Sequence, residues 1–252
     1  MAEFDRNYQA QAHTGARAGA QAIDEGLRAY MLRVYNYMAA GIAITGVVAY
    51  LTFSLSFVET GAGLQLTQTG AALFNSPLKW VVMLAPLGMV FYLSARVARM
   101  SFGAAQIAFW VFATLMGVSL GSIFAVYTGQ SISQVFFITA ASFGALSLYG
   151  YTTKKDLSGW GSFLFMGLIG IIIAAIVNIF LASSALQFAI SVIGVLVFAG
   201  LTAYDTQRIK EMYFVGDGAA VMGKKAIMGA LSLYLDFINM FLMLLSLFGN
   251  RE

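Results

Sequence analysis

The sequence lacks cysteine altogether and contains one histidine, His13, and two prolines in 252 residues. Without cysteine no disulfide framework can form, and a single imidazole cannot build the ligand clusters of zinc, haem or iron–sulfur sites. Charged residues are also few, at 10% of the chain, and the net charge of +3 is too small and too scattered to indicate a nucleic-acid-binding surface. We therefore expect no cofactor and no nucleic-acid partner.

Apolar residues make up 60% of the chain, and its mean hydropathy is +0.81. A water-soluble globule of this length needs more polar surface than such a composition supplies. A helix needs about 20 apolar residues to cross about 30 Å of hydrocarbon. Seven apolar stretches of about this length occur, at approximately 34–56, 80–100, 103–127, 132–151, 159–182, 186–206 and 226–248. The sequence therefore predicts an all-α membrane protein, a bundle of seven transmembrane helices with the lipid bilayer as its surroundings.

The second stretch is the weakest of the seven, because Pro86 lies inside it and Arg96 and Arg99 follow after a short apolar run. The segment before it, 57–79, holds several glycines and Pro77 and is interpreted as a loop.

Lysine and arginine are distributed unevenly along the chain. Residues 1–33 are polar and are interpreted as a cytoplasmic N-terminal tail, with 34–250 as a single seven-helix domain. With this orientation twelve of the fourteen Lys and Arg residues lie on cytoplasmic segments, and only Lys79 and Arg251 lie outside. The bias predicts a cytoplasmic N-terminus and an external C-terminus. If the last stretch were a re-entrant hairpin, the C-terminus would return to the cytoplasm, and Arg251 alone does not decide between the two.

Two carboxylates stand out inside the apolar stretches. Asp236 lies in LYLDFINMFLMLLSLFG, with no cation within a helical turn and Asn239 on the same face. Asp205 lies at the cytoplasmic end of the sixth stretch, three residues from Arg208, and an ordinary interfacial ion pair with that arginine would also explain it. Because an ionised carboxylate at membrane depth is costly, such residues usually face a bundle interior or a wet cavity and find a partner there.

If Asp205 and Asp236 meet, they form a coupled pair that holds a single proton near neutral pH, because two adjacent carboxylates cannot both ionise comfortably. With the proton, the pair can hydrogen-bond the sixth helix to the seventh; without it, the helices repel. Asp205 is a few residues from its membrane boundary, whereas Asp236 is about 16 Å along its helix from Lys225 at 1.5 Å per residue. Contact therefore requires that the seventh helix tilt or begin outside the bilayer, or that water reach inward from the cytoplasm.

Four segments together resemble the Bax-inhibitor family, also called the transmembrane Bax inhibitor motif (TMBIM) family, in its bacterial branch. They are SLYLDFINMF, AYDTQRI, the KKDLS that follows the fourth stretch and the IVNIF of the fifth, and the resemblance covers roughly residues 30–250. It implies a seven-helix fold with the C-terminal helix at the centre, an inner-membrane location, a paired-aspartate pH sensor and a calcium leak.

Carried onto this sequence, the resemblance makes Asp205 and Asp236 the pH sensor. It also implies a counter-charge near the cytoplasmic end of the second helix, for which Arg96 is the nearest match and Arg99 the second. This sequence departs from the family in one place, because the connection between the two aspartates is several residues longer, around FVGDGAAVMGKK. Exchange of the Asp205 contact to Arg96 would reverse the sign of gating that direct repulsion predicts.

Calcium prefers oxygen ligands, and Asp205, Asp236, Asn239 and Asn178 offer carboxylate and amide oxygens. Two carboxylates make a weak, transient Ca²⁺ site, which suits an ion in transit because conduction requires release. From the residues alone, a path for protons fits equally well. Calcium and protons are thus expected as permeating ions rather than bound cofactors.

Two other classes of function fit parts of this sequence. Paired membrane aspartates, with Tyr204 beside Asp205, are also found in intramembrane aspartyl proteases, but LYL precedes Asp236 where those enzymes carry Gly-x-Gly, and their Pro-Ala-Leu motif is absent. We therefore expect no enzyme activity. The second class is a regulator that acts by contact with a membrane protease or a stress or cell-death partner, through the tail and the cytoplasmic loop 207–225. A leak and a contact regulator are compatible.

Overall fold

The structure, a computed structural model, describes residues 2–61 and 63–251, with side chains from residue 24 onward. It contains eight α-helices in these ranges: α1 (Ala2–Ser56), α2 (Gln68–Phe74), α3 (Leu78–Arg96), α4 (Phe102–Leu120), α5 (Gly129–Thr152), α6 (Ser158–Leu181), α7 (Ser184–Glu211) and α8 (Ala219–Phe248). All except α2 contain a segment long and apolar enough to cross a membrane. The predicted all-α bundle with seven transmembrane helices is confirmed.

The segment interpreted as a loop is more ordered than predicted. Strands β1 (Phe57–Thr60) and β2 (Gly63–Leu66) form an antiparallel hairpin, and the short helix α2 follows it. Thr67 caps α2 by accepting a hydrogen bond from Gly70 N, and Gly70 packs against the carbonyl of Ser56. The loop prediction failed because glycine and proline mark turns but do not exclude short elements between them.

The helix starts reflect local side-chain chemistry. Ser101, Thr128 and Ser183 each accept a hydrogen bond from a backbone N–H three residues on, so each hydroxyl satisfies a free donor at a helix N-terminus. Helix α3 continues through Pro86. Transmembrane helices tolerate proline because neighbouring groups can satisfy the freed carbonyl.

Helix α8 is the centre of the bundle. It packs against α1, α3, α4, α5 and α7, whereas α6 packs on the outer side of α7. Tyr234, fully buried on α8, packs edge-on against Phe112 and donates its hydroxyl proton to Thr45 Oγ1 at 2.6 Å. Thr45 in turn donates to the carbonyl of Ala113 at 2.8 Å. This satisfied network fixes α1, α4 and α8 against one another inside the membrane.

The C-terminal end of α8 reaches the side of the bundle opposite to the α7–α8 connection. Thr128 N donates to Asn250 O at 3.1 Å, and the Arg251 guanidinium lies over the Tyr127 ring at 5.7 Å. Because α8 is one continuous helix, it crosses the whole bundle, and the re-entrant alternative is not adopted.

All seven membrane-spanning helices begin before the stretches predicted from the sequence, five of them by one to three residues. The largest differences are at α1, which is continuous from Ala2 to Ser56, and at α8, which starts at Ala219 rather than near residue 226. Residue 34, predicted as the boundary between tail and bundle, therefore lies within α1. The side chains of residues 1–23, most of the predicted polar tail, lie outside the described residues.

Candidate functional site

A cleft of about 770 Å³ lies between α3, α6, α7 and α8 and contains both aspartates. Its walls are largely apolar, with Leu87 and Val90 from α3 facing a row of residues on α6. The row on α6 extends from Ser158 to Ala175, about 26 Å at 1.5 Å per residue. The cleft therefore covers most of the membrane depth from the cytoplasmic end.

Asp236 is 4% exposed, and its Oδ2 is buried without a hydrogen-bond partner among the described residues. It lies on α8 among the fully buried residues of the core. A buried unsatisfied oxygen is rare in folded proteins and calls for a proton, a water molecule or an ion. The location of Asp236 thus agrees with the prediction that this carboxylate faces the bundle interior.

Asp205 lines the same cleft from α7, and the two carboxylates are close enough to interact electrostatically. The antiparallel register of α7 and α8 follows from two contacts: Gly229 packs on Ile209, and Ser191 Oγ donates to Ser246 Oγ at 3.0 Å. In this register the two aspartates are offset by about one helical turn, about 5.4 Å along the axis. They face one cleft without forming a direct hydrogen bond.

The longer connection between the aspartates does not disturb this register. Helix α7 continues to Glu211 and α8 begins at Ala219, so most of the predicted loop 207–225 is helical. Lys225 closes the remaining turn by an ion pair with Asp217 at 2.6 Å and a hydrogen bond to Met212 O at 2.9 Å. The segment FVGDGAAVMGKK, around which a longer connection was predicted, thus forms the end of this turn and the first two turns of α8.

The cation at the cleft is Arg208 rather than Arg96. Arg208 lines the cleft and interacts electrostatically with Asp205, although the single ion pair among the described residues is that of Lys225 with Asp217. Arg96 lies exposed at the end of α3 and does not line the cleft, and Arg99 is also exposed. The structure therefore does not bring Arg96 together with the aspartates.

The two asparagines lie in different places. Asn239 lines the cleft one turn beyond Asp236, and its Nδ2 donates to Leu235 O at 2.8 Å, which leaves its oxygen as the atom that can accept from or ligate a guest. Asn178 lies at the external turn between α6 and α7, where its Oδ1 accepts from Ser183 N at 3.0 Å. Asn178 is therefore not part of the aspartate site.

Two serines of the cleft were not singled out from the sequence. Ser158 and Ser162 lie one turn apart on α6, and Tyr204, noted in the sequence beside Asp205, lines the cleft with them. Gly161 allows Tyr204 to lie against α6, because a Cβ there would be 2.6 Å from Tyr204 Cζ. The four-residue spacing of the serines was the available signal, but which face of α6 meets the cleft depends on tertiary packing.

No group of three or more His, Cys, Asp or Glu side chains is arranged to hold a metal within the described ranges. The cleft offers a pair of carboxylates, one amide oxygen, three serine hydroxyls, one tyrosine side chain and one flanking guanidinium. Such a set can hold and exchange protons, and it can offer oxygen ligands to a passing cation.

The model of the family described as "Inhibitor of apoptosis-promoting Bax1" matches residues 27–252. The chain belongs to the Bax-inhibitor family. Similar relatives include the Escherichia coli inner membrane protein YbhL, which is 46% identical over 90% of this chain and 94% of its own length. A Caulobacter vibrioides protein is 48% identical over the full length of both chains, and the Rickettsia prowazekii protein RP147 is 49% identical over 91% of this chain and 92% of its own.

The family match and the fold agree with each other. Seven apolar helices and the inner-membrane name of the Escherichia coli relative make this chain a multi-pass inner-membrane protein of the Bax-inhibitor type. Lys79 and Arg251 lie at the end of the bundle opposite to Lys210 and Lys225, as the charge bias predicts for a cytoplasmic N-terminus.

Proposed function

We propose that this Bax-inhibitor protein is a pH-sensitive cation leak channel, with Ca²⁺ as its principal permeating ion, gated by the proton that Asp205 and Asp236 share. The observation that supports this most directly is the unpartnered, buried Oδ2 of Asp236 in a cleft that also contains Asp205. A carboxylate without a partner at this depth is expensive, so its presence indicates an exchangeable guest rather than a structural bond.

Protonation would act through the packing of α7 on α8. Two unit charges about 5 to 8 Å apart repel by about 2 to 3 kcal/mol at an effective dielectric constant of about 20. A change of that size shifts a two-state equilibrium by about thirty- to a hundredfold. One proton on the pair removes this repulsion. Since α8 is at the centre of the bundle, a change in its distance from α7 alters the cleft between α6, α7 and α8 directly.

The charged and titratable groups around the pair are few. Arg208 and Tyr204 face the cleft from α7, serines face it from α6, and the cleft residues of α3 are apolar. Helix α5 meets α8 through phenylalanines, of which Phe143 packs on Phe237. Within this surrounding Asp205 and Asp236 are the two carboxylates that line the cleft.

A path through the molecule would continue along one face of α8. Ser232, Asp236 and Asn239 line the cleft, and Ser246 lies further along the same face in an external pocket of about 400 Å³. Met243 lies between them and packs on Gly194 of α7. We assign Met243 the role of the apolar barrier between the two compartments, since hydrophobic constrictions block ions by excluding water.

The test is Ca²⁺ flux into liposomes that contain an indicator dye, measured between about pH 5 and 8, the range in which a shared carboxylate proton is exchanged. Asparagine has the shape of a protonated aspartate and cannot ionise. Flux through Asp236→Asn or Asp205→Asn should therefore be independent of pH and match the wild-type rate at the acid end of the range.

Asp156→Asn is the matched control. Asp156 lies in the α5–α6 connection, where hydrogen bonds from Ser158 lower the pKa of its carboxyl, so it stays ionised throughout the range. This variant should keep the pH profile of the wild type. If the wild-type chain carries no Ca²⁺ at any pH, the leak proposal is wrong, and contact with a membrane protease or a stress or cell-death partner becomes the better account.

A further inference from the structure

A second groove, of about 480 Å³, lies on another side of the bundle between α1 and α5. Its walls are apolar and include Met31 and Leu32 from α1 and Phe143 and Leu148 from α5. Its volume lies within the range of about 300 to 1,000 Å³ that is typical of sites for small molecules. None of its lining residues lines the aspartate cleft.

Hydroxyl groups form the floor of the groove. The Tyr35 hydroxyl donates to Ser147 Oγ at 2.5 Å, Ser147 donates to Thr206 Oγ1 at 2.9 Å, and Thr206 donates to Thr202 O at 2.7 Å. The direction of the chain follows from its end, because the only proton of Thr206 goes to a carbonyl. This chain of hydrogen bonds connects α1 to α5 and both to α7 at the base of the groove.

The cytoplasmic end of the groove is cationic. Arg28 lines it, is exposed and is not in the one ion pair found among the described side chains. Lys210 reaches from α7 to donate to Tyr151 O at 2.8 Å, and its ammonium lies 5.4 Å from the centre of the Tyr151 ring, which also lines the groove. Lys154 follows two residues after α5. The acidic groups at this end include the exposed Asp24 and Glu25 on α1 and the exposed Glu211 beside Lys210, whereas Asp217 is paired with Lys225.

We infer that this groove binds an anionic phospholipid of the cytoplasmic leaflet, with an acyl chain against the apolar walls and the phosphate near Arg28 and Lys210. A neutral lipid would fill the walls but leave the Arg28 guanidinium without an anion, and free phosphate would meet the cations but leave the walls empty. Basic pockets between transmembrane helices at the cytoplasmic side are the established physical basis of anionic-lipid recognition. The inference does not depend on the proposed ion leak.

Gly144 provides a precise way to test the groove. It is exposed in the groove wall, and a Cβ added there meets no atom within 4 Å. A large side chain at this position would therefore occupy the groove without displacing packed neighbours. Gly170 on α6 is the matched control, because it is also exposed with no atom within 4 Å of an added Cβ but lies far from the groove in the fold.

The experiment is native mass spectrometry of the purified full chain in detergent with equal amounts of phosphatidylglycerol and phosphatidylethanolamine. The wild type should retain phosphatidylglycerol preferentially. Arg28→Gln should lower that preference by about fivefold, since one basic residue near the membrane surface contributes about 1 kcal/mol to anionic-lipid attraction. Gly144→Phe should lose most of the retained phosphatidylglycerol, with Gly144→Leu as the substitute if the larger variant misfolds.

Arg33→Gln and Gly170→Phe should behave as the wild type, because Arg33 is an exposed arginine on the same helix that does not line this groove. Absence of a preference for phosphatidylglycerol in the wild type would overturn the inference. Equal losses from Arg28→Gln and Arg33→Gln would also overturn it, since they would indicate general surface attraction. Displacement of the lipid by millimolar inorganic phosphate would identify a free anion as the ligand instead.

Discussion

Asp236 lies on the central helix α8, at a buried position where an unpartnered carboxylate lowers the stability of the fold. Its neighbours on α8, Tyr234 and Phe237, are buried and well packed, whereas its own Oδ2 has no partner in the described part of the chain. An unsatisfied buried polar atom costs about 1 to 3 kcal/mol. Residues that break a local packing rule without a structural gain are typical of functional sites.

We therefore predict that Asp236→Leu stabilises the protein while abolishing pH-dependent flux. Leucine is of similar size and removes the unpartnered oxygen, so the midpoint of thermal unfolding in detergent should rise. Asp217→Asn is the contrasting variant, because it removes the ion pair with Lys225 and should lower that midpoint slightly. A lower midpoint for Asp236→Leu would show that the carboxylate has a structural partner.

At the scale of helices, close approach between α5 and α7 depends on a single small residue. A Cβ at Gly150 would lie 2.2 Å from the carbonyl oxygen of Ala203, which is backbone and cannot move aside cheaply. Gly144, two turns earlier on the same helix, has free space at the corresponding position. Small residues at helix contacts are the general means by which membrane helices pack, since lipid supplies no hydrophobic drive between them.

Gly150→Ala should therefore destabilise the protein by about 1 to 3 kcal/mol through overpacking. Gly144→Ala should be neutral or slightly stabilising, because alanine is the better helix former by about 0.5 to 1 kcal/mol. Thermal unfolding of the two variants in the same detergent gives the comparison. Equal behaviour of the pair would mean that α5 and α7 do not approach as closely as described.

The sequence predicts helix number well and helix ends less well, for a physical reason. Hydropathy alone finds the seven membrane-spanning helices, because each must present apolar side chains to lipid. Hydropathy misses the start of α8 because Lys224 and Lys225 interrupt the apolar run, although the adjacent Gly223 and Ala226 are buried. Both lysines donate hydrogen bonds to backbone carbonyls, so their charges are accommodated within a continuous helix.

The candidate site was predictable in part. Asp236 can be identified because it is a lone carboxylate in an apolar run, and Asp205 because it lies in a family motif. Both signals are contained in short segments of sequence and need no knowledge of the packing. The counter-charge was not predictable in the same way. Whether Arg96 or Arg208 faces the aspartates depends on how α3 and α7 are rotated in the bundle, and rotation is set by packing against neighbouring helices rather than by local sequence.

At the scale of the whole molecule, the aspartate cleft and the external pocket extend along α8 towards each other from opposite ends of the bundle. Ser232, Asn239, Met243 and Ser246 share one face of this helix at spacings of seven, four and three residues. The first two line the aspartate cleft and Ser246 lines the external pocket. Met243 also lines the cleft, with Ile171 and Ile190 in its apolar surroundings, and is the residue to which we assign the barrier between the two.

Because the chain contains no cysteine, single substitutions can map this arrangement without background labelling. In membranes of known orientation, Ser232→Cys and Asn239→Cys should react with a membrane-impermeant thiol reagent from the cytoplasmic side, and Ser246→Cys from the external side. Adding Met243→Ala to Asn239→Cys should make position 239 reactive from outside as well, because the apolar barrier is removed. Adding Met240→Ala is the control, since Met240 is buried on another face of α8. Reaction of Asn239→Cys from outside without any change at Met243 would place the barrier elsewhere.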